Sequence, residues 1–325
     1  MYIMKKIIKN VMIIFLTVIF LIVIGFAVLL LIMNYKNKNY WKYSDAKGKI
    51  EAKYTALGPC EVSFLEAEDE GTAWGKYEVW YPSKIQAADS VYPLVVMANG
   101  TGVKASKYKE VFEHLASWGF IVVGNEDDNS RSGESSAASL DFVLSLNEDK
   151  NSDFFGKVDV KNVGIAGHSQ GAVGAINAVT GQKNGPYYKA VFAASTTSSV
   201  LTKVLGDEWE YDLSKLNIPC FLVAGTGNAD AGTAGGRTAG EGQGICPLWS
   251  LNENFEAISD TTDKVMARRV GKDHGDMLRY ADGYMTAWFM YYLRGDTEAG
   301  QAFFGENAEI LFNENWQDIK INCKD

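Results

Sequence analysis

The chain has 325 residues, with 31 Lys and Arg against 40 Asp and Glu, for a formal net charge of −9. A polyanion is held by a basic surface, so nucleic acid is excluded as the main partner, and strongly anionic polymers make poor substrates. Only three histidines occur, His114, His168 and His274; a histidine-rich metal centre is excluded with them, and neither metal nor organic cofactor is expected.

The first feature along the chain is an uncharged apolar run from Val11 to Met33, preceded by Lys5, Lys6 and Lys9 and followed by Lys36, Lys38 and Lys42. As a helix it spans roughly 35 Å, enough to cross a bilayer with some tilt. No small-residue cleavage site precedes NYKNKNYW, residues 34–41, so an uncleaved anchor is expected rather than a removed signal peptide. Lysines on both flanks make the charge rule a weak vote on orientation. A short stub inside and a large domain outside is the simpler topology, which puts the protein in the cell membrane as a single-pass chain with its domain extracytoplasmic. The expected division is stub and anchor over 1–33, a polar lysine-rich tether over 34–55, and one domain over 56–325. On an exported domain, Cys60, Cys220, Cys246 and Cys323 permit disulfides in any of three pairings. Cys220, inside an apolar run, reads equally well as a free structural thiol.

In the domain, CEVSFLEA (60–67) and KYEVWY (76–81) read as two strands joined by a turn at Glu70–Gly71. YPLVVMANG (92–100) follows as a dense apolar strand. In SKYKEVFEHLASWG the residues Tyr108, Val111, Phe112, Leu115 and Trp118 share one helical face. Further strands are read at FIVVG (120–124), VGIAG (163–167), AVFAAS (190–195) and CFLVAG (220–225), with helices near 137–147 and from Gly171 to about Val179. Residues 226–244, TGNADAGTAGGRTAGEGQG, read as a long, loosely constrained loop, and DGYMTAWFMYYL (282–293) as a closing aromatic-rich helix. Short, nearly continuous apolar strands alternating with amphipathic helices predict an α/β fold, with a mostly parallel central sheet and helices on both faces. The two leading strands suit an antiparallel edge.

The chemistry centres on GHSQG, residues 167–171, directly after VGIA and before a helix of small residues. A serine between two glycines at a strand-to-helix turn is an exposed nucleophile at the carboxyl end of a strand. The other reading of Ser169 is a simple helix N-cap. A hydroxyl needs a base. His168 lies inside the turn, with a side chain expected to point away from that of Ser169. His114 lies on a helix far from the strand tips. His274, in the polar loop VGKDHGDM, is the base by position and elimination. An acid is needed to fix its tautomer, and in this architecture it falls between serine and histidine. Asp230, after CFLVAG, is the first candidate. Asn228 cannot supply a charge, Asp260 and Asp263 lie later in the interval, and Asp273 and Asp276 flank the base too closely. Backbone donors for an oxyanion are expected from the N–H of Gln170 and from the turn at Gly100 or Thr101; the side chain of Gln170 is also placed to meet an acyl group. Trp249 is the tryptophan most suited to a substrate pocket, whereas Trp118 and Trp288 fall on helix faces and read as core.

These stretches, NGTG, GHSQG, GTGNAD and KDHGD in that order, resemble the α/β-hydrolase superfamily, and within it the dienelactone-hydrolase-like and polyester-hydrolase (cutinase-like) branch with chlorophyllase-like esterases. The resemblance implies an α/β-hydrolase fold, a triad of Ser169, His274 and Asp230, an oxyanion hole at Gln170 and the Gly100–Thr101 turn, and two-step acyl transfer from a small-molecule or lipid-like ester to water. The same parts cleave amides, so a cell-envelope serine peptidase or amidase is the alternative, and a non-catalytic hydrolase-like binding domain is a further one. Oligomeric state is not legible.

Overall fold

Alternation along the apolar strands governs the architecture. The computed structural model describes residues 1–87, 90–233, 236–238 and 240–324. Its elements, in chain order, are α1 (Tyr2–Lys38), α2 (Lys49–Thr55), β1 (Val62–Glu68), β2 (Lys76–Pro82), β3 (Tyr92–Ala98), α3 (Lys109–Ser117), β4 (Ile121–Asn125), α4 (Glu134–Glu148), β5 (Val158–His168), α5 (Gln170–Gly181), β6 (Tyr188–Ala194), α6 (Ser199–Leu205), β7 (Cys220–Gly225), α7 (Asn228–Ala231), α8 (Leu248–Ala257), β8 (Lys264–Arg269), α9 (Met277–Tyr280), α10 (Asp282–Arg294), α11 (Thr297–Gly300), α12 (Glu309–Phe312) and β9 (Trp316–Asn322).

The strands form one nine-stranded sheet in the order β1-β2-β4-β3-β5-β6-β7-β8-β9. β3 to β8 run parallel, and antiparallel strands close both ends: β1 and β2 at one, β9 at the other. Successive side chains of a strand face opposite sides. Leu94, Val96, Ile165, Val191, Leu222 and Met266 pack into a core with Leu140 of α4, Ile176 of α5 and Leu251 of α8. The other face meets α10: Phe192 packs on Phe221, and Phe221 on Trp288. Trp288 is fully buried, as expected of core.

The chain divides into two units, Met1–Tyr43 and Ser44–Asp325. The first holds α1, the one described helix long and apolar enough to cross a membrane, with none of its apolar stretch buried. Residues 49–55, read from sequence as tether, form α2 instead. Ile50 and Tyr54, one helical turn apart, are buried, and α2 lies so close to α10 that a Cβ at Gly283 would sit 2.5 Å from the Glu51 carbonyl oxygen. The C-terminal tail adds β9, which the sequence reading lacks. All four cysteines are free thiols, with Cys220 and Cys246 buried, so none of the three permitted disulfide pairings forms.

His114 has the structural role expected of it. Its Nε2 donates to the carbonyls of Thr55 and Ala56 at 3.0 and 2.9 Å, and its Nδ1 faces Asp282 Oδ2 at 2.8 Å. Both ring nitrogens face acceptors, so the ring is held as imidazolium. Burial pulls its pKa down, but the charge and hydrogen bond of Asp282 and the two carbonyls outweigh burial and raise it. The pair ties α2, α3 and α10 together. Breaking it from one side, with His114→Gln or Asp282→Asn, strands a buried polar partner and is expected to cost about 3 kcal/mol in denaturant unfolding. Because folding raises the pKa of His114, its contribution is complete below about pH 6.5, the value of an unfolded histidine. It drains away as pH rises through the folded-state value. The stability gap between wild type and His114→Gln should therefore narrow on going alkaline.

Candidate active site

Strand β5 ends at His168 and α5 begins at Gln170, so Ser169 alone makes the turn. Its backbone sits at φ 59°, ψ −123°, a region that costs a non-glycine residue about 1–3 kcal/mol. The surroundings enforce it. Ser169 N–H donates to the Ala194 carbonyl at 2.9 Å. The flanking glycines permit the close approach: a Cβ on Gly167 would lie 2.0 Å from the Gly171 carbonyl oxygen, and one on Gly171 would lie 2.2 Å from that of Ala98. The Ser169 side chain makes no cap hydrogen bond to α5, and strain of this kind persists only where the surroundings over-determine it.

The ends of β6 and β7 and the loop beyond β8 converge on Asp230. This residue lies in the single turn α7 and is fully buried. Its Oδ1 accepts a hydrogen bond from His274 Nδ1 at 2.8 Å. Its Oδ2 accepts from the Ser195 hydroxyl and the Gly225 N–H, both at 2.6 Å. The competing acids are engaged elsewhere: Asp260 pairs with Lys264, and Asp263 accepts from Tyr292 and Lys324. Asp276 accepts from the backbone N–H of Asp273. Of the sequence candidates, Asp230 is the one brought to His274. With Nδ1 donating to a carboxylate, the neutral ring keeps its lone pair on Nε2, the nitrogen a base would use. No hydrogen bond joins Ser169 to His274 in this structure; such bonds often tighten only around substrate.

His168 reaches the loop that carries His274. Its Nε2 lies 2.7 Å from the His274 carbonyl oxygen, and the two rings are 4.5 Å apart. A nitrogen facing a carbonyl must carry the proton, and burial, followed by repulsion from a charged His274, pushes the His168 pKa down to about 4. His168 is therefore a neutral donor that fastens the His274 loop against the residue next to Ser169.

On the other side, β3 leads into the Gly100–Thr101 turn, closed by Val103 N–H on the Gly100 carbonyl at 3.0 Å. Asn99 clamps it from beneath. Its Nδ2 donates to the carbonyls of Asn125 and Asp127 at 2.7 and 2.9 Å, and its Oδ1 accepts from Tyr108. A Cβ on Gly100 would sit 3.4 Å from the His168 carbonyl oxygen, so the turn runs alongside the elbow. Gln170 heads α5, where a backbone N–H has no partner within the helix. Its side chain is buried. Gly100, His168 and Gly275 line one cavity of about 210 Å³ together with Val103, Val111 and Leu278. The cavity thus opens beside Gly100, His168 and Gly275, the neighbours of Thr101, Ser169 and His274, and its lining includes none of those three. Trp249 does not line it; half-buried in the first turn of α8, its ring lies 5.5 Å beneath the Arg237 guanidinium.

The 226–244 segment is less loose than its glycines suggest. After α7, Thr233 N–H donates to Gly242, Ile245 to Ala229 and Cys246 to Asp230, at 2.8, 2.8 and 3.1 Å. Residues 234, 235 and 239 lie outside the described residues.

A sequence model of the PET hydrolase-like family matches residues 45–229, more than half of the chain. The chain belongs to the PET hydrolase-like family. Membership places it in the α/β-hydrolase superfamily and makes it a serine carboxylic ester hydrolase. The matched stretch covers the oxyanion turn and the elbow and stops just short of Asp230, so Asp230 and His274 rest on geometry. No match was found among curated proteins.

Ser195 is a partner of the site that sequence reading passed over, because it closes an ordinary apolar strand. It holds φ 50° and is fully buried. A hydrogen bond to a carboxylate is worth about 1.5–3 kcal/mol. Ser195→Ala is therefore expected to lower the thermal midpoint, because the buried carboxylate loses a donor, and to lower kcat on an ester at least about tenfold with KM little changed; steady-state kinetics and a melt check this.

Proposed function

We propose that the protein is a membrane-anchored serine esterase that works through a Ser169–His274–Asp230 triad and an acyl-enzyme. The observation that carries this reading is the 2.8 Å contact between His274 and the buried Asp230, on a loop fastened beside the strained Ser169. Ser169 Oγ attacks the ester carbonyl and its proton passes to His274 Nε2. The negative charge that builds on the carbonyl oxygen meets the N–H of Gln170 and an N–H of the Gly100–Thr101 turn. His274 then gives the proton to the departing alcohol, takes another from the water that attacks the acyl carbonyl, and returns it to Ser169 Oγ as the acid leaves. Asp230 stays ionised throughout, holding the Nδ1–H tautomer and balancing the imidazolium.

The substrate class is a small-molecule or lipid-like carboxylic ester, part of which enters the 210 Å³ cavity. Within the superfamily, the motif stretches also resemble those of dienelactone-hydrolase-like and chlorophyllase-like esterases. α1 serves as a single-pass anchor with the catalytic domain extracytoplasmic: stub and anchor over residues 1–33, and a catalytic domain that includes α2 and so begins ahead of residue 56.

Two experiments test this. With the full chain in detergent, a nitrophenyl ester series should be hydrolysed. Ser169→Ala should remove at least about 10⁴-fold of kcat, and Asp230→Asn about 10³–10⁴-fold. Activity that survives Ser169→Ala refutes the nucleophile, and faster cleavage of peptide anilides than of esters makes the protein an amidase. In expressing cells, the protein should stay with membranes through an alkaline carbonate wash with its N-terminus intact; a soluble product lacking residues 1–33 marks a cleaved signal instead.

A further inference from the structure

We propose that Asp273 is a positioning residue that fixes the acid and the base of the triad to each other, a role that rests on the assignment of Asp230 and His274 above. Asp273 precedes the 3₁₀ turn His274–Asp276, and its carboxylate reaches across to α7. One oxygen, Oδ1, accepts the backbone N–H of Asp230 at 3.0 Å and the backbone N–H of His274 at 2.8 Å. The other, Oδ2, accepts Ala229 N–H at 3.2 Å. A single atom therefore holds the backbones of both residues whose side chains meet at 2.8 Å.

The need for it follows from the local chain. α7 is one turn long and its N-cap, Gly227, has no side chain to cap it. The exposed N–H groups of a helix start require an acceptor, and here the acceptor comes from a residue 43 positions later. The neighbouring backbone is joined in the same place: the Lys272 carbonyl accepts both Thr226 N–H and Gly227 N–H at 2.9 Å, and Gly271 N–H donates to Thr226 Oγ1 at 2.8 Å. Asp276 Oδ2 closes the far side by accepting Asp273 N–H at 3.1 Å. Burial raises the Asp273 pKa, but the three N–H donors and the nearby imidazole more than offset it, holding the carboxyl below its usual range. The acceptor is thus charged at neutral pH.

Gly227 gives a second way to disturb the contact. Its backbone, φ −71° and ψ 166°, suits any residue, yet a Cβ there would lie 2.4 Å from Asp273 Cγ. Gly227→Ala displaces the carboxylate without removing it. A misplacement on the order of 1 Å at a reacting group costs up to about 100-fold in rate.

The test measures kcat, KM and the thermal midpoint of the full chain on a nitrophenyl ester for Asp273→Ala, Asp273→Asn and Gly227→Ala, alongside Ser169→Ala and Asp230→Asn. Expected are a kcat loss of about 10- to 100-fold in Asp273→Ala and Gly227→Ala, KM within about threefold of wild type, and an intermediate kcat in Asp273→Asn, which keeps one accepting oxygen. Wild-type kcat in the folded variants, with only a lowered midpoint, overturns the proposal and leaves Asp273 a structural cap. Should one of Asp273→Ala and Gly227→Ala fail to fold, wild-type kcat in the other overturns it equally. If Ser169→Ala and Asp230→Asn are without effect, the triad itself fails and the positioning role with it; if they abolish activity while the Asp273 and Gly227 variants retain it, the positioning role fails alone.

Discussion

The carboxylate of Asp230 has no access to water, and a buried charge is tolerated only where hydrogen bonds replace hydration. Its three donors come from three places: Ser195 just past the end of β6, Gly225 at the end of β7, and His274 in the loop beyond β8. These strands are adjacent and parallel, so their carboxyl ends lie side by side. The sheet order thus decides which loops can satisfy the acid. Satisfying it takes up His274 Nδ1, on a loop whose carbonyl at His274 meets the ring of His168, the residue before Ser169.

A second constraint is steric. The elbow brings three backbone segments, the ends of β3 and β5 and the start of α5, within a distance that no Cβ tolerates at 167 or 171. Small residues along α5 and the apolar face shared by β3, β5 and β6 allow that approach, and the core beneath holds Ser169 in a conformation it would not adopt alone. The oxyanion turn is rigid for a different reason. Asn99 saturates its amide on the carbonyls of the next strand's loop, so Gly100 and Thr101 start from a fixed point. Ser169, Asp230 and the Gly100–Thr101 turn are each placed by a distinct force: close packing, charge satisfaction and a buried amide network.

Much of this was readable in advance. The parallel strands announced themselves as dense apolar runs, and GHSQG carried its glycines because the turn cannot form without them. Three histidines made His274 an elimination, and chain order pointed to Asp230. The remainder was hidden for physical reasons. α7 lies in a glycine-rich stretch whose composition reads as loop, and its stability comes from a distant carboxylate. α2 has only Ile50 and Tyr54 as its apolar stripe among lysines, a pattern that packing against α10 completes. Ser195 looks like the last residue of a strand; its purpose appears only once Asp230 lies beneath it. Asp273 was set aside as too near His274 to be its side-chain partner, which is correct for the imidazole and misses what the carboxylate does for the backbone. His168 was expected to turn from Ser169; its grip on the His274 carbonyl depends on tertiary placement that no spacing reveals.

The most direct measurement is covalent labelling of the full chain by a fluorophosphonate, read by intact mass and peptide mapping, in wild type, His274→Ala and Asp230→Asn. One adduct on Ser169 is expected, formed rapidly in wild type and far more slowly in both variants. An adduct on another residue, or labelling of Ser169 at an unchanged rate without His274 or Asp230, would contradict the triad.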